Sequence, residues 1–162
     1  MDISEIVAAI LAQGNVAHLE AQAAHFFFFD PGPGREVDQR LPFATVVTND
    51  AHDSASNLSR PGLYRLNIGV TRETYERLFG PPPPASREMP VVDTGHDYTR
   101  LDRLMPHPVY SPMSWVCVLN PSEVTFGTVR PLLEEAHAVA ARRAGVRASR
   151  ASTSLARENA GE

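Results

Sequence analysis

Apolar residues recur every three or four positions through Ile3, Ile6, Val7, Ile10 and Leu11, and Gly14 follows. That spacing predicts a helix over 2–13 with one buried stripe and a glycine stop. The period then shortens toward two. Residues 15–20 read as a short strand. His25-Phe-Phe-Phe-Phe-Asp30 reads as a compact aromatic strand, closed by the turn sequence Pro31-Gly-Pro-Gly34. Phe43 to Thr48 is the next strand. The cleanest alternation is Tyr64 to Val70, with Tyr64, Leu66, Ile68 and Val70 on one face and Arg65, Asn67 and Gly69 on the other. Thr71 is placed to cap a helix that runs to Phe79 and ends at Gly80 and four prolines. Trp115 to Leu119 is a further strand.

The last helix carries Val129, Leu132, Leu133, Ala136, Val139 and Ala140 on one stripe. Thr125 or Thr128 is its expected cap, Pro131 falls in the first turn, and Gly145 is its expected end. Residues 49–60 are polar and read as a loop, and 81–96 as an exposed proline-rich loop. A short helix is expected over 97–104, with Tyr98, Leu101 and Leu104 on one side. The order of elements predicts an α+β domain: an antiparallel sheet of about five strands with N-terminal, middle and C-terminal helices packed on it. Residues 1–143 form one domain in this reading. Residues 144–162 are a polar Arg/Ser/Ala tail with almost no large apolar side chain and are expected to be disordered.

Composition narrows the chemistry. No apolar run approaches the ~20 residues needed to span a bilayer, and no basic signal-peptide start is present. Cys117 is the sole cysteine, so no internal disulfide forms and a cytoplasmic location is expected. All 15 basic residues are arginine, which removes lysine Schiff bases, a P-loop lysine and pyridoxal phosphate attachment. No glycine-rich phosphate loop, nucleophile elbow or dinucleotide fingerprint occurs, so no cofactor is expected. The arginine, alanine and proline bias suggests a high-GC, actinobacterial type of genome. Residues 1–140 hold ten arginines against 17 acidic residues, whereas 141–162 hold five against two. The body is therefore acidic and repels phosphate backbones.

The set Pro42-Phe-Ala-Thr-Val-Val-Thr48, Ser59-Arg-Pro-Gly62, Tyr64-Arg-Leu-Asn-Ile-Gly69, Leu104-Met-Pro-His-Pro-Val-Tyr110 and Trp115-Val-Cys-Val-Leu-Asn-Pro121 resembles an uncharacterised family of small, mostly actinobacterial proteins, over roughly 1–143. That family is in turn distantly similar to the MmcQ/YjbR-like proteins. The resemblance implies a CyaY-like α+β fold, sometimes described as a double-wing DNA-binding architecture. It implies no activity. This chain departs from the family pattern at His25 and in the Asn49-Asp-Ala-His-Asp53 loop.

Several side chains have the chemistry of a site. His107 lies between Pro106 and Pro108, which hold it in stiff, extended backbone, and Tyr110 follows. It reads either as an acid–base group, with His25 and Tyr110 as further catalytic candidates, or as a plug that bonds backbone beside Trp115. Arg65 and Asn67, with Arg60 nearby, suit an anion or carbonyl clamp if their face lines a cleft. Trp115, Phe27 and Phe29 are candidates for an apolar substrate wall. Asp50, His52 and Asp53 are the weaker candidates for a metal, since short Asp/His loops are also common turns. Cys117 lies among valines, where burial raises a thiol pKa.

Two functions follow as expectations. The first is a cofactor-independent enzyme or binding protein for a small organic molecule in specialised metabolism, with acid–base cyclase, isomerase, dehydratase or hydrolase chemistry, acting as monomer or homodimer without membrane partners. The second is a non-enzymatic DNA-binding or regulatory domain of double-wing type. The acidic body favours the first.

Overall fold

The computed structural model describes residues 1–159, with side chains through Ala151. The elements in order are α1 (Ile3–Leu11), β1 (Val16–Ala21), β2 (Ala24–Phe29), β3 (Ala44–Val47), β4 (Arg65–Gly69), α2 (Arg72–Phe79), β5 (Met105–Pro106), a 3-10 turn at Ser111–Met113, β6 (Trp115–Leu119) and α3 (Glu123–Asn159). The six strands form one sheet in the order β1-β2-β3-β4-β6-β5, antiparallel at every pairing. The expected α+β class holds. The sixth strand is β5, two residues of Met105 and Pro106 added at the edge beside β6. Among the described residues no helix is long and apolar enough to cross a membrane.

The two faces of the sheet are covered differently. Phe27, Ala44, Val46, Leu66, Ile68, Val116 and Val118 point to one face and form the main core with Ile6 and Ile10 of α1 and Phe126, Val129 and Leu133 of α3. The alternation read from Tyr64 to Val70 is the alternation of these faces. The other face is covered by loops. Its central row runs Phe26, Thr45, Asn67, Cys117, Met105 in register across five strands. Cys117 is fully buried there and its thiol is pushed up to about 12, mainly by burial.

Helix ends follow their caps. Asp2 and Glu5 form a reciprocal capping box on α1. Thr71 caps α2 as expected, and Glu135 of α3 accepts from the Thr71 amide (3.0 Å) and from the hydroxyls of Thr71 and Thr74, locking α2 to α3.

Three local expectations are corrected. Residues 97–104 are not a helix: Asp97 accepts from the amide and hydroxyl of Thr99, a local turn that competes with helix, and Leu101 makes an isolated bridge to Leu119. The cap of α3 is Ser122, which accepts from the Thr125 amide, so Pro131 lies inside the helix rather than in its first turn. Gly145 does not end α3. A helix-interior glycine costs only about 1 kcal/mol, and the flanking alanines and arginines are strong helix formers. The segment from 144, expected as a disordered tail, is helical through Asn159; residues 160–162 of that tail lie outside the described part.

Candidate functional site

The face covered by loops hides a polar cluster. Arg65 is 2% exposed. Its guanidinium takes Asp53 with two bonds (3.1 and 2.8 Å), Ser56 Oγ with a third and Asn67 Oδ1 through Nε. Asn67 in turn donates to Thr45 Oγ1 (3.0 Å). The chain of bonds runs from the 49–60 loop through β4 to β3, and it leaves the pairing of Arg65 and Asn67 fully used. Burial raises the Asp53 carboxyl, but the bonds and charge of Arg65 outweigh it and hold the group below the ordinary carboxylate value.

His107 lies against this cluster. It is fully buried. Its Nδ1 accepts from the amides of Val109 (3.0 Å) and Tyr110 (2.9 Å), its own amide donates to Trp115 O, and its carbonyl accepts from the Ser111 amide. The imidazole therefore organises the turn that the two prolines begin, and an Nδ1 that accepts two amides leaves the ring proton on Nε2. Burial first, and Arg65 second, push His107 well below the ordinary histidine value. Tyr110 and Trp115 pack round it with ring centroids 4.8 and 6.4 Å away.

The remaining candidates disperse. Arg60 donates to the carbonyls of Ser56, Asn57 and Thr99, tying two loops together. Asp50 accepts from the amides of Leu58 and Ser59, Asp53 serves Arg65, and His52 is exposed. The three thus do not converge on a metal position, and no group of three or more His, Cys, Asp and Glu side chains able to hold a metal occurs among the described residues. His25 lies near the far edge of the sheet from His107, bonded to His18. Phe27 is sealed in the core with no exposure.

One accessible feature is a cleft of about 600 Å³ at one end of the sheet, where the end of β2, the start of β3, the end of β4 and the start of β6 meet. Phe29, Phe43 and Trp115 line it, Val139 and Ala140 of α3 roof it, and the 31–42 loop forms its side. Gly69 is the reason for its shape. A Cβ there would stand 3.0 Å from Trp115 Cε2, so only glycine lets the indole lie against β4. His137 braces the other wall, edge-on to both Phe29 and Phe43. The rim carries Arg35, Glu36, Asp38, Arg143 and Arg147. Asp38 is engaged by Arg40 and Arg147. Arg35 and Arg143 have no carboxylate partner among the described residues.

Of the residues that line the cleft, Trp115 and Phe29 were candidates by their type. Phe43, Gly69 and Arg143 were not, although the pairing of Gly69 with Trp115 carries the signal once the register is known.

Neither curated proteins nor solved structures match this chain in a comparison. The model of a family of unknown function, DUF6194, matches residues 1–149, and the chain belongs to that family.

Proposed function

We propose that this protein binds a small organic anion with a flat apolar body in the cleft at the sheet end. The body lies against Trp115, Phe29 and Phe43, and the anionic group meets Arg35 and Arg143. The observation that carries the reading is the Trp115 indole seated on Gly69, which opens one wall of a mainly apolar cleft of about 600 Å³. That size falls within the range of small-molecule sites, and apolar walls with few polar groups are their usual composition. The two unpartnered arginines supply the charge complementarity, in a body that is otherwise acidic.

Binding is the supported form, ahead of turnover. His107 is sealed and does not line the cleft, His137 stands edge-on to Phe29 and Phe43, and an acid–base cyclase, isomerase, dehydratase or hydrolase needs a group within reach of substrate. The double-wing reading, carried by the distant MmcQ/YjbR-like resemblance, draws support from Arg142, Arg143, Arg147 and Arg150 on α3 and meets the opposing charge of the acidic body.

Trp115 is the sole tryptophan, so its fluorescence reports the cleft alone. The test uses two probes with one core: 1-anilinonaphthalene-8-sulfonate and the uncharged N-phenyl-1-naphthylamine. Both should take energy from Trp115, the sulfonate binding at least tenfold tighter, and Arg143→Gln should remove that preference. Ala144→Phe, on the cleft wall, should weaken both. Absence of energy transfer from Trp115, or binding indifferent to Ala144→Phe, overturns the proposal. Salt-sensitive binding of a DNA duplex with no probe binding would favour the nucleic-acid reading instead.

A further inference from the structure

The β1–β2 hairpin carries a second cluster that the cleft does not use. His18 and His25 project from the helix-covered side of the sheet at its outer edge, diagonal to each other: His18 pairs with Phe27 and His25 with Glu20. His18 Nε2 and His25 Nδ1 are 3.0 Å apart. The ring centroids are 5.2 Å apart with only 14° between planes. Two imidazoles with nearly parallel planes thus meet nitrogen to nitrogen, one donating its N–H to the lone pair of the other. The His18 ring also lies parallel to the buried Phe27 ring, 5.0 Å away at 9°, which fixes its plane.

We propose that this pair is a chelating site for a divalent transition ion that favours nitrogen donors: zinc, nickel or copper(II). Two nitrogens on one tetrahedral zinc, each about 2.0–2.1 Å from the ion, stand roughly 3.3 Å apart. The observed 3.0 Å is close to that value, and turning both rings about their side-chain torsions would aim the two nitrogens at a common ion. The bridging proton then passes to the other nitrogen of its own ring, so both imidazoles stay neutral and each offers one lone pair to the ion. His18 is exposed, which gives the ion a path in. Burial first, and the neighbouring His25 second, lower the His18 pKa against the opposing charge of Glu20, and the neutral ring is the form that ligates. Water completes the shell. The imidazole pair sets the metal class by ligand type.

The site is separate from the cleft, and its test is independent of the ligand reading. Zinc chloride alone is titrated into the full chain by calorimetry, with circular dichroism as a check on folding. One equivalent should bind with Kd on the order of 10 µM. His18→Ala and His25→Ala should each weaken binding at least tenfold, and His52→Ala should leave it unchanged. Histidine imidazole NMR signals of His18 and His25, and no others, should shift with zinc. No saturable binding up to 1 mM, or binding that survives in the His18→Ala/His25→Ala double variant, overturns the proposal.

Discussion

Arg65 and Asp53 meet through two parallel N–H···O bonds, and both side chains are closed to solvent, at 2% and 7% exposure. This pair fastens the 49–60 loop onto the sheet. A buried ion pair gains little over an apolar substitute, but breaking one side leaves a charge without a partner. Asp53→Ala should therefore destabilise the fold by about 3–5 kcal/mol. The paired change Asp53→Ala/Arg65→Met should recover much of that loss. Urea unfolding followed by circular dichroism measures both, and a double variant no more stable than Asp53→Ala would contradict the account.

Acid should act on this fold in two stages. His107 is held neutral with its folded pKa depressed, so the unfolded chain takes its proton first. Stability from His107 is complete above the unfolded value of about 6.5 and declines below it, at about 1.4 kcal/mol per pH unit for one proton. Asp53 is also depressed. Its contribution is complete above the unfolded value of about 3.9 and is lost as pH falls through the lower folded value. His107 should show a flat NMR titration from pH 8 to 5, with Nε2 protonated throughout. A His107 midpoint near 6.5 would refute the buried, doubly accepting geometry.

Gly69→Ala tests the wall of the cleft. The added methyl meets the Trp115 ring at 3.0–3.1 Å, against an aromatic body rather than a flexible tip. The indole must move, at a cost of about 1–3 kcal/mol. The variant should melt earlier, shift Trp115 emission, and weaken binding of the anilinonaphthalene probes. Unaltered emission would mean that the ring is not seated on this glycine.

The hairpin that carries His18 and His25 turns through Gln22 and Ala23, both at positive φ (52° and 58°). This is the two-residue geometry that Asn-Gly prefers, and a side chain at Ala23 costs roughly 1 kcal/mol there. Gln22→Asn/Ala23→Gly should stabilise the protein by about 0.5–1 kcal/mol. Thermal melting checks it, and a lower Tm would show that the turn differs.

Much of the frame is legible in order and period. The Tyr64–Val70 alternation fixes which side chains share a face, and the structure seats Leu66 and Ile68 in the core and Arg65 with Asn67 opposite. The Thr71 cap and the Gly80 stop read directly, because capping is chemistry within four residues. Even the stiffness around His107 is local. Its acceptors and donors lie within eight positions.

What the sequence could not supply is distance between residues far apart in it. Asp53 reads as a loop carboxylate with metal-ligand neighbours; only folding brings it to Arg65, twelve positions on, and spends its charge there. His18 reads as an isolated position in a short strand, because the turn at Gln22 and Ala23 carries none of the usual turn residues. The register set by that turn is what brings His18 to His25.

The sequence by itself determined five of the six strands, the first helix, the Thr71 cap of α2 and the two faces of the sheet, since each follows from periodicity and short-range hydrogen bonding. Tertiary structure alone decided the partners. It committed Arg65, Asn67 and His107 to a buried network, set Trp115 against Gly69 to open a cleft, and laid Val139 and Ala140 of α3 over it as a roof. The physical reason is that burial and pairing are non-local: an arginine with a carboxylate at 2.8 Å is a different group from the same arginine facing water.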